Sequence, residues 1–177
     1  MTAPATLTTA RLHGARITAA DRPLYRALWQ EPEVVRTLGG PRTLAQIDAK
    51  IDRLVAMWHS HGFGVYTLRE GDVACGYAGL APTDAGGRDS VEILYGFAPA
   101  VWRRGLATEV ARALVELALG ELGLPEVCGF TWTENLGSRR VLELAGLIYR
   151  FEFDRADLPH RYYSLTRSPA RGSPRDS

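Results

Sequence analysis

Apolar residues recur every three or four positions in four segments of the chain, and capping residues bound each segment. The clearest segment runs from Thr43 to His61-Gly62, and its apolar positions are Leu44, Ile47, Ile51, Leu54, Val55 and Trp58. This period predicts an amphipathic helix that begins after the Thr43 cap. Three further helices are predicted, from the Thr18 cap through Trp29, over 104–122 and over 135–145.

Strand-like segments lie between and after these helices. A hairpin turn at Glu70-Gly71-Asp72 joins two of them. The predicted strands are 11–17, 64–69, 73–80, 90–98, 126–133, 147–153 and 161–166. Helices come early, a meander follows, and a β-α-β-α-β half closes the chain. This order predicts a single-domain α/β fold whose mixed, mostly antiparallel, twisted sheet of about six or seven strands is flanked by helices.

The length and composition are those of an ordinary globular domain. At 177 residues, the chain is expected to form one domain over 7–167, with a disordered Pro/Gly/Ser-rich tail over 168–177. A net charge of +1 predicts neither nucleic acid nor a membrane surface as a partner. No segment has the pattern of a signal peptide or membrane span, so we expect a cytoplasmic protein. Cys75 and Cys128 lie in apolar runs and are interpreted as buried free thiols.

Several enzyme classes lack support because their motifs are missing from the sequence. The chain has no P-loop, no dinucleotide-binding glycine fingerprint and no nucleophile elbow. Its histidines have no cysteine or carboxylate at the spacing of metal ligands, so no metal is expected. A kinase, a dehydrogenase, a serine hydrolase and a zinc enzyme are therefore not indicated.

A turn with two arginines and a glycine, Trp102-Arg103-Arg104-Gly105-Leu106-Ala107-Thr108-Glu109, lies between a predicted strand and a predicted helix. Small residues let a ligand approach the backbone closely. The free N–H groups of the first helical turn and the helix dipole both favour an anion there. The turn is therefore predicted to bind phosphate.

Two further features flank this turn in the chain. The strand before it carries Glu92 in an apolar run and ends at Pro99, which cannot donate to a ladder. Such an end leaves backbone groups of Phe97 and Ala98 available to a guest strand. The strand after the helix leads to an Asn135-x-x-Ser138 motif at the start of another helix.

In this order the motifs resemble those of the GNAT superfamily of acetyl-CoA-dependent N-acetyltransferases, and within it the RimJ/RimL-like branch. The opening 7–12 is similar to the N-terminal signature of that branch, and Asn135-x-x-Ser138 is followed by Leu142 and Gly146 as in its second motif. The resemblance covers about residues 7–166. It implies an acetyltransferase in which a primary amine attacks acetyl-CoA directly within a ternary complex.

The resemblance also implies where acetyl-CoA binds. Backbone N–H groups of the turn would hold the pyrophosphate, with charge-assisted bonds from the two arginines. The pantetheine arm would lie along the end of the preceding strand and accept a hydrogen bond from Asn135. The predicted cofactor-binding residues are Phe97, Ala98, Pro99, Arg103, Arg104, Gly105, Leu106, Ala107, Thr108, Asn135 and Ser138.

Catalysis requires a base, an oxyanion donor and an acid for the leaving thiolate. Glu92 is the candidate base, directly or through water. A backbone N–H near Phe97 or Ala98 is the candidate oxyanion donor. Many family members use a tyrosine as the acid, but the matching position here is Leu142. We expect Ser138 to take that role, with Tyr149 as a second choice.

These residues also have purely structural interpretations. Glu92 can face solvent or pair with an arginine, and Asn135 and Ser138 can cap the following helix. Three aromatic residues of the early segments are candidates for the wall of the acceptor pocket, although each can equally be a core residue. They are Trp29, Trp58 and Phe63.

The acceptor and the assembly state are left open by the sequence. A protein N-terminal amine and a small amine both suit the resemblance. The rival function is a non-catalytic acyl-CoA-binding module, which would keep the phosphate turn and Asn135 without the proton-handling groups. Family members often form homodimers, and no pattern in this chain predicts an interface.

Overall fold

A computed structural model of the protein describes residues 1–37 and 40–167. The predicted tail at 168–177 lies outside the described residues. Within them, eight strands form one sheet in the order β1-β2-β3-β4-β5-β6-β8-β7. The strands are β1 (Thr6–Thr8), β2 (His13–Arg16), β3 (Val65–Glu70), β4 (Val73–Thr83), β5 (Ser90–Phe97), β6 (Glu126–Trp132), β7 (Ile148–Arg155) and β8 (Leu158–Thr166).

All neighbouring strands are antiparallel except β5 and β6. These two run parallel, and their register joins one residue pair, Glu92 with Cys128. A helical crossover between them is what a parallel neighbour requires. The predicted single-domain, mostly antiparallel mixed sheet is therefore confirmed.

The described part of the chain contains five α-helices. They are α1 (Arg22–Gln30), α2 (Pro32–Thr37), α3 (Leu44–His61), α4 (Leu106–Glu116) and α5 (Leu136–Leu144). Thr43 caps α3, because its hydroxyl accepts the N–H of Gln46 at 3.2 Å. Beyond α4 the chain continues as one π-helical turn, Leu117–Glu121. The predicted cap of α3 is thus confirmed.

Three elements differ from the sequence prediction. β1 was not predicted, since three residues carry no measurable alternation. α2 is not among the predicted helices, although Pro32 suits the first position of a helix. The predicted helix after Thr18 begins instead at Arg22, because Thr18 and Asp21 close a separate 3₁₀ turn in which the Asp21 carboxylate accepts the Thr18 N–H at 2.7 Å.

The core forms on both faces of the sheet. α4 packs against β4, β5 and α5, and buries Leu106, Val110 and Leu114 completely. α1 and α3 pack together and cover other strands, with Tyr25 of α1 in hydrogen-bond contact with Thr67 of β3. Cys75 and Cys128 are buried free thiols, as predicted. No helix among residues 1–37 and 40–167 is long and apolar enough to cross a membrane.

We predict that Leu114→Ala lowers the free energy of unfolding by about 2–5 kcal/mol, because the substitution leaves a cavity under α4. Leu114 has 0% of its surface exposed. The matched control is Leu44→Ala, since Leu44 is 47% exposed and its loss should change stability by less than about 0.5 kcal/mol. Urea unfolding followed by circular dichroism measures both variants, and equal losses would contradict this view of the core.

Candidate active site

A cleft of about 790 Å³ opens where β5 and β6 separate. The end of β5 contributes Tyr95, Gly96 and Phe97 to its wall, and the start of α5 contributes residues 135–138. The predicted phosphate turn forms a third side, with every residue of 101–108 except Arg104. The separation of two strands thus creates a concavity next to the sequence motifs.

Backbone hydrogen bonds fix how β5 ends. The Ala98 N–H donates to the carbonyl of Cys75 at 2.9 Å, and the Trp102 indole donates to the carbonyl of Phe97 at 2.7 Å. The Ala98 N–H and the Phe97 carbonyl therefore already have hydrogen-bond partners. This corrects the expectation that backbone groups of both residues are available to a guest strand. Because ladder groups alternate in direction along a strand, the Phe97 N–H points away from β4 and toward the gap.

The phosphate turn has an unusual backbone. Arg103 and Gly105 both adopt left-handed conformations, with φ of 62° and 80°. The first bond of α4 runs from the Glu109 N–H to the Gly105 carbonyl at 3.1 Å. The N–H groups of the three residues before Glu109 consequently have no intrahelical acceptor. A cradle of this shape fits an anionic group such as a pyrophosphate.

The two arginines of the turn point in different directions. Arg103 lies in the wall of the cleft. Arg104 instead forms a two-pronged ion pair with the Glu70 carboxylate, at 2.8 Å and 2.7 Å, and does not line the cleft. Ala98 and Pro99 are also outside the wall, whereas the other eight predicted cofactor-binding residues are in it. The structure therefore gathers most of the predicted set around one cavity.

Asn135 and Ser138 lie side by side at the start of α5. The Asn135 side-chain oxygen accepts the Ser138 N–H at 3.1 Å, so the capping interpretation of Asn135 is correct. Both residues also line the cleft, and capping leaves the Asn135 amide N–H₂ as a donor. From across the gap, the Tyr95 hydroxyl donates to the carbonyl of Ser138 at 3.2 Å. Tyr95 thus ties β5 to the first turn of α5.

Leu142, which the resemblance aligns with the expected tyrosine, is a core residue. Only 2% of its surface is exposed. A Cβ on Gly129 of β6 would come within 2.5 Å of the Leu142 side chain, so the missing side chain at Gly129 makes room for it. This position therefore offers no hydroxyl to the cleft.

Glu92 lies on the face of β5 that also carries Gly96, opposite to the face of Tyr95. It does not line the cleft. Burial raises the pKa of Glu92 to about 7, and the positive charges of Arg155 and Lys50 oppose that rise. A carboxyl with this pKa can exchange a proton near neutral pH.

All three aromatic candidates for the wall of the acceptor pocket are buried. Trp29 is 1% exposed and packs edge-on against Tyr77, which lines the cleft, with ring centres 5.6 Å apart. Trp58 donates its indole N–H to the carbonyl of Val65 at 3.0 Å and packs on Tyr66. Phe63 is buried beside His61. None of the three residues is in the wall of the cleft, so the structure does not place the predicted pocket residues in its lining.

Sequence reasoning missed several residues of the site. Tyr77 and Tyr95 line the cleft and are not among the predicted site residues. Lys50, the single lysine, lies with its ammonium 4.6 Å from the centre of the Trp29 ring, and burial lowers its pKa to about 8. Its isolation among arginines was the only signal of this residue in the sequence. The alternation of side chains along β4 and β5 indicates which face of the sheet each tyrosine lies on. It does not indicate which face borders the cleft.

Comparisons with known proteins identify the family. Residues 11–148 match the family model of the acetyltransferase (GNAT) domain. The chain is 32% identical over 168 residues to an FsC-acetyl coenzyme A-N(2)-transacetylase of Aspergillus fumigatus, covering 87% of this chain and 70% of that protein. The chain belongs to the GNAT acetyltransferase family, and it is an N-acetyltransferase.

Solved structures share the fold over nearly the whole chain. An acetyltransferase from Agrobacterium tumefaciens superposes with a TM-score of 0.80 at 26% identity, covering 93% of this chain and 95% of the other. The ribosomal L7/L12 α-N-protein acetyltransferase RimL, in complex with coenzyme A, gives a TM-score of 0.77 at 11% identity, covering 91% and 97%. The second likeness shows the common fold alone.

The raised pKa of Glu92 predicts a pH-dependent stability. The unfolded chain loses this proton near its ordinary pKa of 4.5, but the folded protein keeps it until about 7. The protonated carboxyl therefore contributes stability that is complete below about pH 4.5 and is lost as the pH rises toward 7. Between pH 4.5 and 7, wild type should lose on the order of 3 kcal/mol more than Glu92→Gln.

Urea unfolding of both proteins across this range measures the difference. The lowered pKa values of Asp48 and Glu109 affect stability at more acidic pH, and the lowered pKa of Lys50 affects it above about pH 8. None of these three groups therefore contributes to the change in stability between pH 4.5 and 7. Parallel stability curves for wild type and variant would show that Glu92 is not perturbed.

Proposed function

We propose that this chain transfers the acetyl group of acetyl-CoA to a primary amine by direct attack within a ternary complex. The observation that carries the proposal is one continuous cleft, from the phosphate turn past Asn135 and Ser138 to Tyr77, with Glu92 on the Tyr77 face of β5. Acetyl-CoA supplies an activated thioester when bound.

The donor side of the cleft binds and orients. The N–H groups of Leu106, Ala107 and Thr108 would hold the pyrophosphate, because α4 leaves them without acceptors. The Asn135 amide would donate to the pantetheine arm. The Phe97 N–H, which faces the gap, would serve as the oxyanion donor. Ser138 would donate a proton or hydrogen bond to the leaving thiolate.

Glu92 would take the proton of the attacking amine. Its pKa of about 7 suits a base that must both accept and release a proton at neutral pH. Since Glu92 does not line the cleft, we infer that a water molecule connects it to the amine. Tyr77 would form the wall beside that amine, and Trp29 would support it by packing against the Tyr77 ring.

The acceptor class is supported only by analogy and charge. RimL is named as an α-N-protein acetyltransferase of ribosomal L7/L12, so a protein N-terminal amine is an acceptor that this fold can serve. A small amine remains the alternative. The charges that act on Glu92 are positive, from Arg155 and Lys50, so a polycationic acceptor is disfavoured. A cytoplasmic location and homodimer formation stay predictions.

A thiol-release assay tests the function. The purified protein is incubated with acetyl-CoA and a panel of N-terminal peptides, amino acids and small amines, and free CoA is measured against amine-free controls. Amine-dependent release with an acetylated product supports the proposal. Acetyl-CoA binding without release for any amine would favour the acyl-CoA-binding module instead.

Glu92→Gln should reduce kcat/KM for the amine at least about tenfold and leave acetyl-CoA affinity unchanged. In wild type, kcat/KM should rise with pH through about 7, where deprotonated Glu92 becomes available. The variant should lose this limb of the pH profile and keep any limb that belongs to the amine. Wild-type turnover in Glu92→Gln would remove Glu92 from the mechanism.

Ser138→Ala should lower kcat about tenfold or more if Ser138 assists the leaving thiolate. The bond from the Asn135 side chain uses the backbone N–H of residue 138, so the helix cap should persist in the variant. Affinity for acetyl-CoA, measured by calorimetry, is the control. An unchanged kcat would indicate that positioning alone suffices for thiolate departure.

A further inference from the structure

The phosphate turn holds a conformation that the local sequence does not favour. Arg103 is left-handed although it carries a side chain, and Gly105 is left-handed two residues later. A non-glycine residue in this region persists only where its surroundings hold it. The contacts around the turn therefore indicate what keeps it in a ligand-ready shape.

Arg11, which precedes β2, contacts the turn through most of its donors. Its Nε and Nη2 atoms each lie 2.7 Å from Oε2 of Glu109, in the first turn of α4. Its Nη1 donates to the carbonyl of Arg104 at 2.9 Å. One guanidinium thus bridges the carbonyl inside the turn to the helix that follows.

Neighbouring groups complete the same clamp, which we define as Thr9, Arg11 and Glu109. The Thr9 hydroxyl and the Arg11 N–H donate to Oε1 of Glu109, at 2.5 Å and 2.9 Å. Each oxygen of this carboxylate therefore contacts two donors of the N-terminal segment. Hydrogen bonds and Arg11 stabilise the charge and lower the pKa of Glu109 against the cost of burial.

The clamp lies behind the turn and outside the cleft. A Cβ on Gly105 would have the Arg11 guanidinium as its nearest neighbour, at 3.6 Å, while none of the three clamp residues lines the cleft. On the other side, Arg104 is tied to Glu70 at the end of β3. The phosphate turn is thus fixed at two places outside the cleft, by Arg11 and by Glu70. These contacts leave the N–H groups of the first turn of α4 without a partner in the described part of the chain.

We propose that Arg11 is a positioning residue for the phosphate turn: through Glu109 and the Arg104 carbonyl, it sets the affinity for the pyrophosphate of acetyl-CoA without touching it. This inference rests on the proposed use of acetyl-CoA. If the clamp is released, the turn populates other conformations, and the apparent affinity falls with the fraction that remains competent.

Calorimetric titration of acetyl-CoA into the full chain tests the proposal. Arg11→Gln and Glu109→Gln should each weaken binding about tenfold, and the effects in the double variant should be less than additive, because both substitutions break the same Arg11–Glu109 ion pair. Affinity for pantetheine, which lacks the pyrophosphate and is followed by NMR titration, should stay within about twofold of wild type. In turnover assays, KM for acetyl-CoA should rise while kcat is kept.

Arg16→Gln is the matched control. Arg16 also fastens the N-terminal segment, by donating to the Ala3 carbonyl at 3.0 Å, but it does not contact the turn. It should leave acetyl-CoA affinity unchanged. If Arg16→Gln lost acetyl-CoA affinity equally, or if the clamp variants also lost pantetheine affinity, the cause would be a general loosening of the N-terminal segment. Either result would overturn the proposal. Arg11→Lys, which keeps the charge but loses the fork, replaces Arg11→Gln if that variant does not fold.

The outcomes separate this inference from the proposed function. If wild type does not bind acetyl-CoA, the proposed function fails. If wild type binds acetyl-CoA and both clamp variants bind it equally well, the positioning role alone is wrong.

Discussion

The parting of β5 from β6 is the constraint on which the rest of the site depends. The two strands share one paired position, Glu92 with Cys128, and beyond it β5 is held by β4 and by the Trp102 indole. Unpaired strand ends inside a protein need other partners, because buried N–H and C=O groups are costly. The gap therefore places a phosphate turn, a helix start and a free backbone edge around one space, where an extended polar ligand can supply the missing pairing.

The two faces of β5 carry different side chains of the site. Tyr95 reaches across the gap to α5 through its hydrogen bond to the Ser138 carbonyl. Glu92 lies on the other face, which also carries Tyr77 with Trp29 packed against it, and the charge of Lys50 acts on Glu92. Burying a carboxyl and a lysine in this region costs stability, since both pKa values are moved toward the neutral forms. Proteins tolerate such costs mainly where ionisable groups serve function.

Much of this arrangement follows from local sequence, and the remainder depends on distant contacts. The Thr43 cap, the buried stripe of α4 and the turn at Gly105 are encoded within a few residues, so their pattern predicts them. β1 has three residues, and its existence depends on pairing with β2. Trp58 has the same helical spacing as a pocket residue, but its indole is used by the Val65 carbonyl. The direction of the Arg104 side chain depends on Glu70, 34 positions earlier.

The clamp at the phosphate turn joins two segments that lie far apart in the sequence and are therefore synthesised at different times. Arg11 and Glu109 are separated by 98 positions, so their contact requires a large loop to close before it forms. During synthesis, Arg11 leaves the ribosome long before α4 does. A nascent chain can therefore complete the ligand-ready turn only after α4 has been made and has met the N-terminal segment.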